Sequence, residues 1–347
     1  MALYLVGLGP GSGGYLTRRA MEVIMRSDKA YLDTYTSFLE PGLIEELRMI
    51  LGSRLIEADR RLLEEDVLRI VKEAEGMDVA VLVPGDPLIA TTHISIIVEA
   101  ARRGVKYHVI HGVSAHSALI STSCLQAYKF GKIVTIPKSG VGVETCYRAV
   151  LENMERGLHT LILLDTADGG LDIPSAIRML MRVEDEVGMG LVTPDRLVIC
   201  LARIGFGDEF RWAGSLAEAL EGSYPPPPHS IIFPGSLHFS EAEALKALLG
   251  ASPDVVEQHK PPWSIWQRLQ KYIANVESAL GGLELLDRSS EVRAVLDLVE
   301  RYLDDSRKFL SGGRGFESLA AVSYAEGLLD CLRLLGEVKF SWGLRRD

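Results

Sequence analysis

Positive charge is scarce in this chain, cysteine is sparse, and long apolar runs are missing altogether. Lysine and arginine number 37 against 47 aspartates and glutamates, a net charge of −10. No basic field exists to gather phosphates, which argues against a nucleic-acid binder. Cys124, Cys146, Cys200 and Cys331 never pair as Cys-x-x-Cys. Neither zinc nor a disulfide framework is expected, and a reducing cytoplasm suits the pattern. The apolar run at residues 3 to 8 is cut short by Pro10, Gly11, Gly13 and Gly14. It is too short to span a membrane, and no basic segment precedes it as a signal peptide requires. No Gly-Lys-Ser/Thr occurs, so a Walker loop is excluded. A soluble, cytoplasmic protein is expected.

What is present suffices for real cores. The 347 residues are 47% hydrophobic and 24% charged, enough for two or three compact units. Strand-like runs at Leu3 to Leu8, Ala30 to Leu32, Arg54 to Ile56, Val79 to Val83 and Tyr107 to Ile110 alternate with helical stretches at Pro41 to Leu51, Glu64 to Glu75 and Thr92 to Arg103. That alternation predicts a mostly parallel sheet over residues 1–113. After Ser114 a helix is expected from Ala115 to Ser123. Strands follow at Ile133 to Ile136, Thr160 to Leu164, Leu197 to Ala202, Phe210 to Ala213 and Ser230 to Phe233. They predict a second α/β lobe over 114–257, with some antiparallel character and a ligand cleft between the lobes.

Pro253, Pro261 and Pro262 read as a linker, and residues 258–347 as an all-α bundle. Ile265, Leu269, Ile273, Val276 and Leu280 share one helical face. Val292, Val295, Val299 and Leu303 share a second, and Leu319, Val322, Leu329 and Leu332 a third. Gly312, Gly313 and Gly315 break the last two helices into a hairpin.

Two loops carry the chemistry. Gly7-Leu8-Gly9-Pro10-Gly11 follows the first strand but is a poor dinucleotide fingerprint. Pro10 occupies a position that wants a free residue, and no acidic residue is expected to close a second strand at the right distance. Glycines there suit close backbone approach to a flat ligand instead. The second loop is Val83-Pro84-Gly85-Asp86-Pro87-Leu88-Ile89-Ala90-Thr91-Thr92-His93. Pro84 stops a buried strand, Gly85 and Pro87 stiffen the turn, and Asp86 is held at the strand's carboxyl end, where open sheets bind small molecules. The bland alternative is a carboxylate capping its own turn or a helix from Thr91. His93, His108, His111 and His116 are dense, yet no spacing resembles a zinc motif and no metal is expected. Lys129 is the best cation near the cleft for a substrate carboxylate; the alternative is a solvated loop lysine.

The eleven-residue loop resembles the Gly-Asp-Pro loop of the tetrapyrrole-methylase superfamily, and the chain resembles its diphthine synthase branch in order along residues 1 to about 257. The opening loop is similar to Gly-x-Gly-Pro-Gly, with Leu16-Thr17 behind it. Tyr35-Thr36-Ser37, Val109-Ile110-His111 with Ser114, and Tyr128-Lys129-Phe130-Gly131 follow. Arg156-Gly157-Leu158-His159-Thr160-Leu161 running into Leu163-Leu164-Asp165, then Leu201-Ala202-Arg203 and Pro227-Pro228-His229, complete the set.

The resemblance implies a two-lobed methylase fold that holds S-adenosylmethionine through Pro10, Asp86, Ile89, Ser114, Ala115, Leu164, Ile204 and His229. Pro10 stands where this branch usually has leucine, and Ala115 where it has a larger apolar residue. Ile89, Leu164 and Ile204 would wall the adenine; His229 would touch the cofactor or plug the cleft. The implied acceptor is the aminocarboxypropyl-histidine of elongation factor 2, methylated on nitrogen, three times in archaeal-type members, with a fourth methyl on the carboxylate in eukaryotic-type ones. No residue is assigned as a catalytic base, and catalysis by positioning is expected. The helical tail resembles a small archaeal domain of unknown function, which implies an archaeal source; its role would be substrate docking, self-association or none in catalysis. A homodimer is implied by the superfamily. Two other readings stay open: a precorrin methyltransferase, and a non-catalytic cofactor-binding adaptor.

Overall fold

The computed structural model describes residues 1–260 and 265–342, and the chain forms two compact units, Met1–Lys260 and Pro261–Asp347. Five parallel strands open the first unit: β1 (Leu3–Gly7), β2 (Lys29–Asp33), β3 (Leu55–Ala58), β4 (Val79–Val83) and β5 (Tyr107–Ile110). They lie in the order β3-β2-β4-β1-β5. Every residue of β1 and β4 is buried, as expected where helices cover both faces of a parallel sheet. Leu3, Val79, Val81 and Ile96 build one face of the core, and Tyr4, Val6, Val23 and Leu82 the other.

The second sheet contains β6 (Val134–Ile136), β7 (Thr160–Leu164), β8 (Leu197–Ala202), β9 (Phe210–Ser215) and β10 (His229–Phe233), ordered β6-β7-β10-β8-β9. Only β6 and β7 pair in parallel; the other ladders are antiparallel. Strand periodicity sorts its side chains cleanly. Val198, Cys200, Ile231 and Phe233 pack into one cluster, while Leu197, Ile199, Leu201 and Ile232 pack into the opposite one.

The linker reading fails at Pro253. That residue opens the helix Pro253–Gln258, capped by the Ser252 hydroxyl, and Val256 packs into the core of the second sheet. Proline at a first helical turn is favourable because its missing N–H would have no partner there. Pro261 and Pro262 lie outside the described residues, as does the side chain of Ile265.

Among the described residues, three helices, Ile265–Gly281, Ser290–Ser311 and Gly315–Leu334, make the second unit. Leu269, Ile273, Val276, Val299, Leu303, Val322 and Leu329 form its core, with Leu280 and Leu319 against them. Val292 and Leu332 close a small satellite cluster with Val295 beside it. The all-α expectation needs one correction. β11 (Glu284–Leu285) and β12 (Val338–Lys339) pair as a two-residue antiparallel ribbon. Strands this short carry no periodic signal. No helix among the described residues is long and apolar enough to cross a membrane.

Candidate functional site

A cleft of about 1060 Å³, open mouth included, lies where the carboxyl ends of β1 and β4 face the loops of the second sheet. This is the usual ligand position in an open α/β sheet. Its floor is backbone. Leu8 N–H donates to Val83 O at 2.8 Å, Gly9 N–H to Gly85 O at 3.1 Å, and Gly85 N–H back to Gly9 O at 2.9 Å. Gly85 has φ +76°, open to glycine without strain.

The second sheet interlocks with this floor. Ser12 N–H donates to Gly205 O at 3.1 Å, and a side chain at Gly205 would stand 2.4 Å from Pro10 O. At the other end, the Thr166 hydroxyl donates to Thr36 O at 3.0 Å. Ala90, Asp168 and Arg203 hold positive φ in loops bordering the cleft, the strain expected where packing over-determines a functional loop.

All eight residues singled out from the sequence line this cleft: Pro10, Asp86, Ile89, Ser114, Ala115, Leu164, Ile204 and His229. Leu164 ends β7, Ile204 follows β8, and His229 opens β10. Ser114 caps the helix Ala115–Thr122, its Oγ accepting the His116 N–H at 3.2 Å. Sequence reasoning missed Phe38, Phe206, Asp165 and Thr166, which also line it. Asp165 lay inside a quoted motif, the only signal available for it.

Asp86 is 5% exposed and both its oxygens are engaged. Oδ1 accepts the Leu88 N–H at 3.0 Å, so the carboxylate does cap its own turn. It caps no helix, because the next one begins at Ile94. Oδ2 meets His111 Nδ1 at 2.9 Å. The ring of His229 belongs to the fold. Nδ1 accepts the Ile173 N–H at 3.2 Å and Nε2–H donates to Pro225 O at 2.6 Å. Burial holds its pKa below the ordinary value, so the ring is neutral and plugs the wall.

Lys129 is not a free cation at the cleft. Its ammonium donates to Ser236 O and to the buried Glu241 carboxylate. The four clustered histidines diverge: His93 is buried beside Asp33, His108 stacks on Tyr4, His111 meets Asp86, and His116 lines the cleft. Asp33 corrects another expectation, because an acidic residue does end β2. Its Oδ1 accepts the N–H groups of Tyr35 and Thr36 at 2.9 and 3.0 Å, which turns the carboxylate into the protein.

Electrostatics narrow the ligand. Among the described residues no lysine or arginine lines the cleft, whereas Asp86 and Asp165 do. Burial alone would raise the Asp165 pKa, but the N–H groups of Ala167 and Lys138 hold it below the ordinary carboxylate value. Desolvation keeps the His116 imidazole below its ordinary pKa and so neutral. The cleft therefore offers apolar walls, backbone groups and negative charge. That combination fits S-adenosylmethionine, which joins a flat adenine to a sulfonium and an ammonium.

Comparison with known proteins follows these lines. Residues 2–220 match the family described as Tetrapyrrole (Corrin/Porphyrin) Methylases, and residues 271–338 match a domain described as a protein of unknown function. The diphthine synthase of Sulfurisphaera tokodaii is 38% identical over 254 residues, covering 71% of this chain and 98% of that one. The diphthine synthase of Saccharolobus solfataricus is 39% identical over 253 residues, with the same two coverages. A crystal structure of diphthine synthase superposes with a TM-score of 0.67 at 30% identity, covering 74% of this chain and 98% of that one. A conserved hypothetical protein from Aeropyrum pernix gives 0.66 at 29% identity, covering 74% and 94%.

Proposed function

Because the chain belongs to the tetrapyrrole methylase family, with diphthine synthases as its relatives, and is thus an S-adenosylmethionine-dependent methyltransferase, we propose that it makes diphthine. The acceptor is the amino nitrogen of the aminocarboxypropyl-histidine on elongation factor 2, taken through three transfers in the cytoplasm by a homodimer. The observation that carries this reading is the charge of the cleft, whose lining contains two carboxylates and no cationic lysine or arginine among the described residues. The acceptor carries a single carboxylate beside a nitrogen that becomes trimethylammonium, and that cationic group suits the field. A precorrin bears many carboxylates and does not.

Bound in the cleft, S-adenosylmethionine supplies a methyl group already activated on sulfur. The protein's part is alignment and dryness. Leu164, Ile204 and Phe206 form apolar wall, Pro10 borders it from the first glycine-rich loop, and Ser114 and Ala115 border it from the start of the helix Ala115–Thr122. An α-amino group has a pKa of about 8, and entry into the apolar cleft favours its neutral, nucleophilic form. Asp86 and Asp165 already accept backbone N–H groups, so each contributes field rather than a free base.

Ile89→Arg separates the readings. Ile89 is 44% exposed on the cleft wall, so the change is expected to leave the melting temperature within a degree or two. Titration calorimetry is expected to show S-adenosylmethionine affinity falling at least about tenfold, since a new cation faces a cationic ligand. Unchanged affinity, or a gain in binding of a polycarboxylate tetrapyrrole, would move the assignment away from a cationic occupant.

A further inference from the structure

The proposed function has Asp86 contribute negative field at the cofactor, a role that depends on how its carboxylate is held. Only 5% of Asp86 is exposed, and of its two oxygens only Oδ1 has a backbone donor, Leu88 N–H at 3.0 Å. The partner of Oδ2 is the Nδ1 of His111, 2.9 Å away. His111 follows directly on β5, a neighbouring strand to β1, and its side chain is 75% exposed. One edge of the ring thus meets a buried acid while the rest stands in water.

We propose that His111 is the positioning residue of this cleft, donating from Nδ1–H to Asp86 Oδ2 so that the carboxylate is held aimed at the cofactor's positive charge. The donated hydrogen bond also settles the ring tautomer, leaving Nε2 towards solvent. A buried carboxylate oxygen without a donor is expensive, and the group relieves that expense by rotating towards another donor. That rotation moves the negative charge away from where the cofactor needs it. His111 acts through Asp86 and touches neither substrate nor reacting carbon. The inference rests on the proposed cofactor role of Asp86.

Calorimetric titration of the full-length protein with S-adenosylmethionine tests it in four variants. His111→Leu removes the donor and is expected to raise Kd about tenfold or more. His111→Asn places an amide N–H near the Nδ1 position and is expected to restore Kd to within about threefold of wild type. Asp86→Asn is expected to weaken binding at least as much as His111→Leu, and Asp86→Asn with His111→Leu no further than Asp86→Asn alone. Wild-type affinity in His111→Leu overturns the proposal, as does failure of His111→Asn while its melting temperature is unchanged. Additive losses in the double variant overturn it too, because the two residues would then act separately. If Asp86→Asn itself leaves Kd unaltered, the cofactor role of Asp86 falls first and the inference with it.

Discussion

Gly112→Ala is expected to abolish cofactor binding and to cost about 3 kcal/mol or more of folding stability. The added carbon would stand 2.3 Å from Gly85 O, 2.8 Å from Gly7 C and 2.9 Å from Gly7 Cα. All three are backbone atoms, so no side chain can swing aside, and a close-packed interior transmits the displacement. Gly7 ends β1 and Gly85 lies in the Asp86 loop, so the segments pushed apart are the floor of the cleft. Gly42→Ala serves as the control, with nothing within 4 Å of the added carbon. Guanidinium unfolding and calorimetry of both variants give the comparison. Near-native stability and binding in Gly112→Ala would mean the Gly7 and Gly85 segments are not the rigid base described above.

Glu241→Ala is expected to destabilise the first unit by about 3–5 kcal/mol, the usual cost of breaking a buried ion pair from one side. Glu241 is 1% exposed on the helix Phe239–Leu249. Its carboxylate accepts the Gln126 N–H at 2.8 Å, the His238 N–H at 2.7 Å and the His159 ring at 3.1 Å, besides the Lys129 ammonium. Removing it strands the Gln126 and His238 N–H groups and the His159 ring, and leaves Lys129 only Ser236 O as an acceptor. The same cluster sets a pH dependence. Burial outweighs Glu241 and pushes the His159 pKa down to about 4.

The unfolded chain protonates this histidine near 6.5, so the folded state binds fewer protons between about 6.5 and 4. Stability is therefore complete above the upper value and falls as pH drops through the window, by about 1.4 kcal/mol per pH unit from His159. His93 and His229, also lowered chiefly by burial, act in the same sense. Denaturation midpoints at pH 7 and pH 5 check the sign; a higher midpoint at pH 5 would refute it.

Local pattern made much of this molecule readable in advance. The spans Pro41–Leu51, Tyr107–Ile110, Thr160–Leu164 and Leu197–Ala202 are legible because apolar period and flanking glycine or proline agree there. The eight cleft residues were legible because each sits at a strand end or loop whose motif has a known order. Pairings across the chain were not. Glu241 meets Gln126 and His159 only because the helix at Phe239 folds back over the second sheet, and periodicity tells which face is buried, not which acid meets which base. Lys129 reads as a cation available to a substrate carboxylate for that reason. His111 was weighed as a metal ligand, since nothing local reveals that its ring reaches Asp86. Asp33 was overlooked as the acid ending β2, and its inward carboxylate comes from the turn at Tyr35 and Thr36.

The most direct test is mass spectrometry of elongation factor 2 carrying the unmethylated aminocarboxypropyl-histidine, after incubation with the purified full-length protein and S-adenosylmethionine. The account predicts three methyl groups added to that one residue, and none with elongation factor 2 that lacks the modification. A cofactor-loaded protein that adds no methyl to the modified histidine, or that methylates a precorrin instead, would contradict it.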